Sequence, residues 1–225
     1  MRHPTPQPPW SGPEIQFKPG LARDMLRELA PLLAEEGIAV DERGELSDVD
    51  VPDLQTLQRA LDRAVERQNL TLFTPTGKAR DLAADALRQV TEAIAAGDTA
   101  LAAAVLDNNV VPESPDQTVA TVAGCTGVAL GLLDEWLSGR DPAAPAQLAA
   151  HTRLPAGHWT GQRAATDILA LAAKGRAFRS LHTLTVRQGG HHLLHGSARA
   201  LAAATIAWAS RTGAELTDLT ATKIR

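Results

Sequence analysis

The amino-acid sequence predicts an all-α protein of about seven to nine helices, arranged as a bundle and preceded by a proline-rich N-terminal arm. Alanine and leucine supply most of the hydrophobic residues, which make up 44% of the 225-residue chain, and both residue types favour helices. Aromatic residues are only 3% of the chain and tyrosine is absent, which disfavours an extended sheet. We therefore expect an aliphatic core in which Trp136, Trp159 and Trp208 are the few large side chains.

Composition divides the chain into three regions. Residues 1–19 are rich in proline and are expected to form a flexible, extended arm. Residues 20–110 are expected to form an acidic, amphipathic helical region, and residues 111–225 a more apolar and basic helical region. The alternative is that these two regions form one continuous globule. Because the two parts carry opposite charge, they could attract each other, or the basic part could face a phosphate-bearing partner.

The charge counts support this division. Residues 1–140 contain 12 basic and 22 acidic side chains, whereas residues 141–225 contain 10 basic and 4 acidic side chains. The formal net charge of −4 therefore hides a strong asymmetry along the chain.

Apolar residues at helical spacing predict four helices in the acidic region. These helices are expected at residues 21–37, 54–67, 76–97 and 99–108. Within the first of them, Pro31 is expected to kink or break the helix, and Gly37 to end it. Gly97 is expected to end the third helix, and Asp98 to cap the fourth.

The segment Gln117–Leu133 contains no charged residue and predicts a buried helix. It is too short and too rich in threonine for a membrane span, so we expect no membrane partner. Gly124, Gly127 and Gly131 lie along one side of this helix and would let a second helix approach closely. Glycine is unfavourable inside helices, so this stripe predicts close packing against the same chain or a second subunit, and we expect a homo-oligomer interface here.

Cys125 is the only cysteine, which rules out an internal disulfide. A chain without disulfides is typical of a reducing cytoplasm. Because the thiol falls within the predicted buried helix, we expect burial to raise its pKa and make it unsuitable as a catalytic nucleophile.

Residues 145–170 resemble an imperfect helix-turn-helix in the spacing of their apolar residues. The motif departs from the usual pattern at Arg153, where glycine is typical of the turn. As a DNA-binding element it would use the following side chains of its second helix and beyond: Gln162, Arg163, Lys174, Arg176 and Arg179. The alternative is a structural helical hairpin.

The stretch GGHHLLHGS opens a helix expected to run from about Gly190 to Thr212. His191 and His195 are one turn apart and point the same way, as two zinc ligands on a helix would, whereas His192 points away, beside Arg199. The glutamate of the HExxH metalloprotease motif is missing. A third ligand would have to come from elsewhere in the fold, and three other histidines are available: His151, His158 and His182.

Small-residue surfaces are the strongest feature of the sequence, and it contains no recognisable catalytic set. The preferred interpretation is therefore a non-catalytic helical interaction protein that associates with itself and uses no cofactor. A DNA-binding regulator and a histidine-based metal-binding protein or metal-dependent hydrolase, with zinc or a similar ion, are the two alternatives.

Overall fold

The computed structural model describes residues 21–46 and 54–225, and within these ranges the protein is all-α, as predicted. The described part contains ten α-helices, one short 3-10 helix and two strands of two residues each. The helix count exceeds the prediction because several helices are only one or two turns long. The predicted proline-rich arm at residues 1–19 lies outside the described residues.

The elements follow one another in a simple order. The first five helices are α1 (Leu21–Glu35), α2 (Leu54–Phe73), α3 (Gly77–Ala95), α4 (Thr99–Asn109) and α5 (Val122–Leu137). Strands β1 (Val110–Val111) and β2 (Ala120–Thr121) lie between α4 and α5. The remaining helices are α6 (Leu148–His151), α7 (Gln162–Ala172), the 3-10 helix (Phe178–Ser180), α8 (Leu181–Gln188), α9 (Gly190–Thr212) and α10 (Leu216–Lys223).

The chain divides into two compact units between Asn69 and Leu70, not near residue 110 as the composition suggested. The boundary differs because α3 and α4 belong with the C-terminal part despite their acidic surroundings. Their buried side chains, such as Leu87 and Leu106, lie in the same apolar cluster as those of α5 and α9. We call the described residues up to Asn69 the N-terminal unit and residues 70–225 the C-terminal unit.

The N-terminal unit has a small apolar core and pairs its charges at the surface. Its buried residues come from α1, α2 and the turn between them: Leu29, Leu33, Ile38, Ala60 and Ala64. Pro31 lies inside α1 without ending it, and Gly37, with a φ of 80°, follows the helix end as predicted. Glu36 forms ion pairs with Arg63 and Arg67.

The C-terminal unit is built around α9, the longest helix in the described ranges. Helices α3, α5 and α7 pack against it, and its small residues, such as Ala200 and Ala204, are fully buried. Trp136 of α5 and Trp208 of α9 are buried and meet edge to face, with ring centroids 5.2 Å apart. This confirms the predicted aliphatic core with Trp136 and Trp208 as large side chains, whereas Trp159 is only partly buried against it.

Two glycines let helices approach closely within the chain. A Cβ at Gly127 would overlap the carbonyl group of Phe73, and a Cβ at Gly196 would lie 2.7 Å from the Cβ of Ala164 on α7. Gly124 also faces the same chain, against the side chain of Thr121, whereas Gly131 has no atom within 4 Å of its Cβ position. Most of the predicted stripe therefore serves a contact within the chain, and self-association at Gly131 stays a prediction.

Helix α5 begins five residues later than predicted. Residues 117–121 lead into the helix as a turn, with Gln117 at a φ of 51°, followed by strand β2. Val110 of β1 pairs in parallel with Ala120 of β2, and the Thr121 hydroxyl caps α5 by accepting a hydrogen bond from the Gly124 amide. This pairing ties the end of α4 to the start of α5.

Two other findings concern the predicted buried helix. Cys125 is fully buried, and desolvation raises its pKa to about 12, which confirms the expectation for its thiol. Among the described helices, none is both long and apolar enough to cross a membrane.

Candidate metal centre

Three side chains converge where the end of α4 meets the first two turns of α9. His191 and His195 lie one turn apart on α9, which runs from Gly190 to Thr212 as predicted. Asp107 lies in the last turn of α4, whose end is held by the pairing of β1 with β2. The third member of the cluster is therefore a carboxylate that lies 84 residues before His191 in the chain.

The geometry of the cluster fits one small cation. Nε2 of His191 lies 3.0 Å, and Nε2 of His195 2.9 Å, from Oδ1 of Asp107. The three ligand atoms lie within 4.8 Å of one another. Atoms that are each about 2.1 Å from a tetrahedral ion lie roughly 3.4 Å apart, so only a small adjustment would seat an ion between them.

The environment favours the protonation states that bind metals. Hydrogen bonding from His191, aided by His195 and opposed by partial desolvation, lowers the pKa of Asp107. Burial lowers the pKa of His195, although the neighbouring Asp107 carboxylate opposes this effect. A charged carboxylate and a neutral imidazole are the forms that metal ions need, so neither group requires a costly proton loss near neutral pH.

Exposure differs strongly within the cluster. The His195 side chain is 1% exposed, whereas the side chains of His191 and Asp107 are 61% and 47% exposed. The His195 side chain is therefore buried in the protein interior, whereas the other two side chains of the cluster are open to solvent.

The histidines proposed as third ligands lie elsewhere. His151 in α6, His158 in the loop before α7 and His182 in α8 are all exposed, and none joins the cluster. Across residues 21–46 and 54–225, Asp107, His191 and His195 are the one group of three that could hold a metal ion. The one local signal for Asp107 is its place at a helix C-terminus, where a carboxylate opposes the helix dipole.

Arg199 follows His195 by one turn on α9. It is only 3% exposed, and its guanidinium carbon lies 4.7 Å from the centre of the Trp159 ring. His192, seven residues before Arg199 and on nearly the same side of the helix, is exposed and meets His191 edge to face. Residues four apart also share a helix face, so Arg199 lies close to the side that carries His195.

Among the described residues, three of the four buried polar side-chain atoms without a hydrogen-bond partner lie on α9. The four atoms are Nε and Nη1 of Arg199, Nδ1 of His195 and Oγ1 of Thr126. The buried threonines Thr91 and Thr205 instead donate to the carbonyl four residues earlier. The unsatisfied hydroxyl of Thr126 is therefore unusual in this fold.

Helices α5 and α9 run in the same direction, which relates Thr126 to the cluster. Val122 approaches Gly190 at the start of both helices, and Trp136 meets Trp208 near their other ends. Thr126 lies one turn beyond Val122 and thus falls near the level of the second turn of α9, where His195 lies.

The predicted helix-turn-helix at residues 145–170 is not formed. Its first helix, α6, has only four residues, and residues 152–161 separate it from α7, whereas the motif requires a turn of three or four residues. Pro155, Gly157 and Gly161 lie in this connection, and the two glycines have positive φ values that interrupt the helix. Four of the proposed DNA-contacting residues are exposed and Gln162 is half-buried: Arg163, Lys174, Arg176 and Arg179 are the exposed ones.

Comparisons with protein-family models, curated proteins and solved structures find no match to this chain. We therefore infer the chemistry of the cluster from the geometry of Asp107, His191, His195 and their neighbours.

Proposed function

We propose that this protein binds one divalent first-row transition metal ion through Asp107, His191 and His195, with zinc as the first ion to test. The observation that carries the proposal is the convergence of two imidazole nitrogens and one carboxylate oxygen from two helices. Two histidines and one carboxylate are a ligand set that zinc and non-haem iron sites use. This convergence ranks the metal site above the self-associating interaction protein that the sequence favoured.

The number of ligands supports a reactive site more than a structural one. Structural zinc sites usually have four protein ligands, whereas catalytic sites have three and leave a position open. His191 and Asp107 are exposed, so solvent or substrate can reach the open fourth coordination position of a bound ion. A zinc ion in such a site would polarise a substrate oxygen or lower the pKa of bound water, which favours a metal-dependent hydrolase as the reaction class.

A competition titration of the full chain tests the metal site. After metal is stripped with a chelator, zinc is titrated in the presence of a chromophoric competitor, and the affinity is measured for wild type and for His191→Ala, His195→Ala and Asp107→Asn. We expect one zinc per wild-type chain and an affinity loss of at least about 100-fold in each variant, because each removes one of only three ligands.

His192→Ala is the matched control, since His192 is exposed, adjacent in sequence and outside the cluster. Its zinc affinity should stay within about threefold of wild type, because a residue outside the ligand set carries no ligand bond. If wild type binds zinc, cobalt, manganese and iron(II) no more tightly than His191→Ala does, the cluster is a hydrogen-bonded link between α4 and α9 and the proposal fails.

A further inference from the structure

The Arg199 guanidinium is a buried positive charge without a partner. It is 3% exposed, and none of its nitrogens makes a hydrogen bond or ion pair within the described residues. Arginine always carries its charge in proteins, so this group cannot avoid the cost of burial by losing its proton. The cation–π contact with the Trp159 ring offsets part of the cost but satisfies no N–H group.

Other charged side chains in the C-terminal unit do have hydrogen-bond partners. Arg80 donates to the backbone oxygen of Arg225, and Arg88, which is half-buried, donates to that of Ile224. The buried carboxylate of Asp134 accepts hydrogen bonds from the amides of Ala177 and Phe178. Arg199 is more buried than Arg80 or Arg88, yet its guanidinium has no hydrogen-bond acceptor among the described residues.

The position of Arg199 relates it to the metal centre. Side chains on a helix lean toward its N-terminus, so Arg199 extends toward the turn that carries His195. Burial lowers the pKa of Arg199, and the Asp107 carboxylate opposes this effect, so the two charges are close enough to interact. Along this face of α9 the side chains go from exposed His191 to buried His195 and buried Arg199.

Charge favours an anion as the missing partner. With a divalent ion on Asp107, the site and Arg199 together would carry an excess of two positive charges, which water would not neutralise. Carboxylate and phosphate groups match the planar fork of a guanidinium and accept two hydrogen bonds from it. The Thr126 hydroxyl on α5 is a further buried polar group without a hydrogen-bond partner.

We propose that Arg199, whose guanidinium lies over the Trp159 ring, is the binding residue for the carboxylate or phosphate group of a small anionic ligand. A ligand bound in this way would have its other end at Asp107, His191 and His195. This second part of the inference rests on the proposed metal site. The substrate class is then a small molecule with an oxyanion at one end and a metal-binding oxygen at the other.

Anion titrations of the full chain test the proposal with inorganic phosphate and with succinate as probes. Both probes are added to stripped and zinc-loaded protein at constant ionic strength, and binding is followed by calorimetry and by tryptophan fluorescence. We expect saturable binding of at least one probe and at least about tenfold weaker binding in Arg199→Met, because a charge-assisted pair is lost. Binding by phosphate alone assigns phosphate compounds, and binding by succinate alone assigns carboxylates.

Two controls make the result specific. Arg211→Met removes an exposed arginine from the last turn of the same helix and should leave binding within about threefold of wild type. Trp159→Phe should lose the fluorescence change, since Trp159 is the tryptophan that contacts Arg199. If Arg199→Met does not fold, Arg199→Lys keeps the charge, loses the planar fork and should still weaken binding at least about fivefold.

Failure of this proposal and failure of the metal site give different results. If zinc does not bind but the stripped chain shows anion binding that depends on Arg199, the metal site is wrong and the anion site stands. If neither probe saturates below about 20 mM in either form, or if Arg199→Met binds as wild type does, the anion site is overturned.

Discussion

Arg199 in the C-terminal unit differs from the arginines of the N-terminal unit that form ion pairs. In the N-terminal unit, Arg63 and Arg67 pair with glutamates at the surface between α1 and α2. In the C-terminal unit, Arg199 is buried against Trp159 with no acceptor. Exposed ion pairs contribute little to stability, whereas an uncompensated buried charge costs several kcal/mol. Folding alone does not explain Arg199, which agrees with the proposal that an anionic ligand at α9 offsets the cost of burying its charge.

The largest change in stability should come from backbone contacts of the C-terminal unit. Gly127→Ala places a methyl group into the Phe73 carbonyl and should lower the free energy of unfolding by about 2–3 kcal/mol. Gly131→Ala is the matched control, because its Cβ meets no atom within 4 Å. It should raise stability by about 0.5–1 kcal/mol, since alanine is the better helix former. Urea denaturation measures both, and equal effects would show that α5 does not approach Phe73 as described.

Arg199→Met should stabilise the metal-free protein, in contrast to most substitutions in a core. Methionine keeps an apolar stem of similar length and removes the unpaired charge, so we expect the free energy of unfolding to rise by about 1 kcal/mol. Arg63→Met in the N-terminal unit should lower it by less than about 1 kcal/mol, because an exposed ion pair is lost. A fall of several kcal/mol in Arg199→Met would mean that the guanidinium has a partner within the fold.

The pH dependence of stability should report the burial of His195. Its pKa is lowered in the folded state, so the unfolded chain takes up a proton more readily below the usual histidine pKa of about 6.5. The stabilising contribution is fully present above that pH and is lost as the pH falls through the lowered pKa. Unfolding measured between about pH 7.5 and 5.5 should therefore show a decrease in wild type that is smaller in His195→Gln.

His192→Gln is the control for this measurement and should retain the wild-type decrease, since His192 is exposed. The lowered pKa of Asp107 acts in a separate range, because its contribution is lost only at more acidic pH, below the usual aspartate range. A decrease that is the same in wild type and His195→Gln would contradict the assignment to His195.

The smallest effect is expected for the ion pairs of the N-terminal unit. Glu36→Gln removes the partner of Arg63 and Arg67 and should lower the free energy of unfolding by about 0.5 kcal/mol at low salt. The difference should nearly vanish at about 1 M salt, where the screening length falls to about 3 Å. A loss of unfolding free energy that persists at high salt would contradict the weak, screened character expected of these exposed ion pairs.

Local signals in the sequence predicted the helices well. Gly189 and Gly213 flank α9 with positive φ values, and the limits of the helix at Gly190 and Thr212 were predicted from these glycines and the apolar spacing. The facing of His191 and His195 follows from the same period. The predicted start of α5 at Gln117 was wrong, because the pairing of β2 with β1 keeps the backbone extended up to Thr121. This pairing joins separate segments of the chain.

The rest of the site depends on contacts between distant residues. The β1–β2 pairing holds the end of α4, with Asp107, at the start of α5, where Val122 approaches Gly190 at the start of α9. Asp107 thereby meets His191 and His195. Arg199 becomes isolated and buried only because Gly161 and Gly196 bring α7 and its preceding loop, with Trp159, against α9. Neither contact produces a repeat at helical spacing in the sequence. The sequence therefore predicted His191 and His195 of the proposed site but not Asp107.

X-ray absorption of the zinc-loaded full chain tests the central claim most directly, because imidazole rings give a distinct scattering signature that can be counted. The proposed site requires nitrogen and oxygen ligands at about 2.0–2.1 Å, no sulfur, and two imidazoles per zinc in wild type. The imidazole count should fall to one in His191→Ala and stay at two in His192→Ala. A count that does not change in His191→Ala, or that falls in His192→Ala, would contradict a metal centre built from Asp107, His191 and His195.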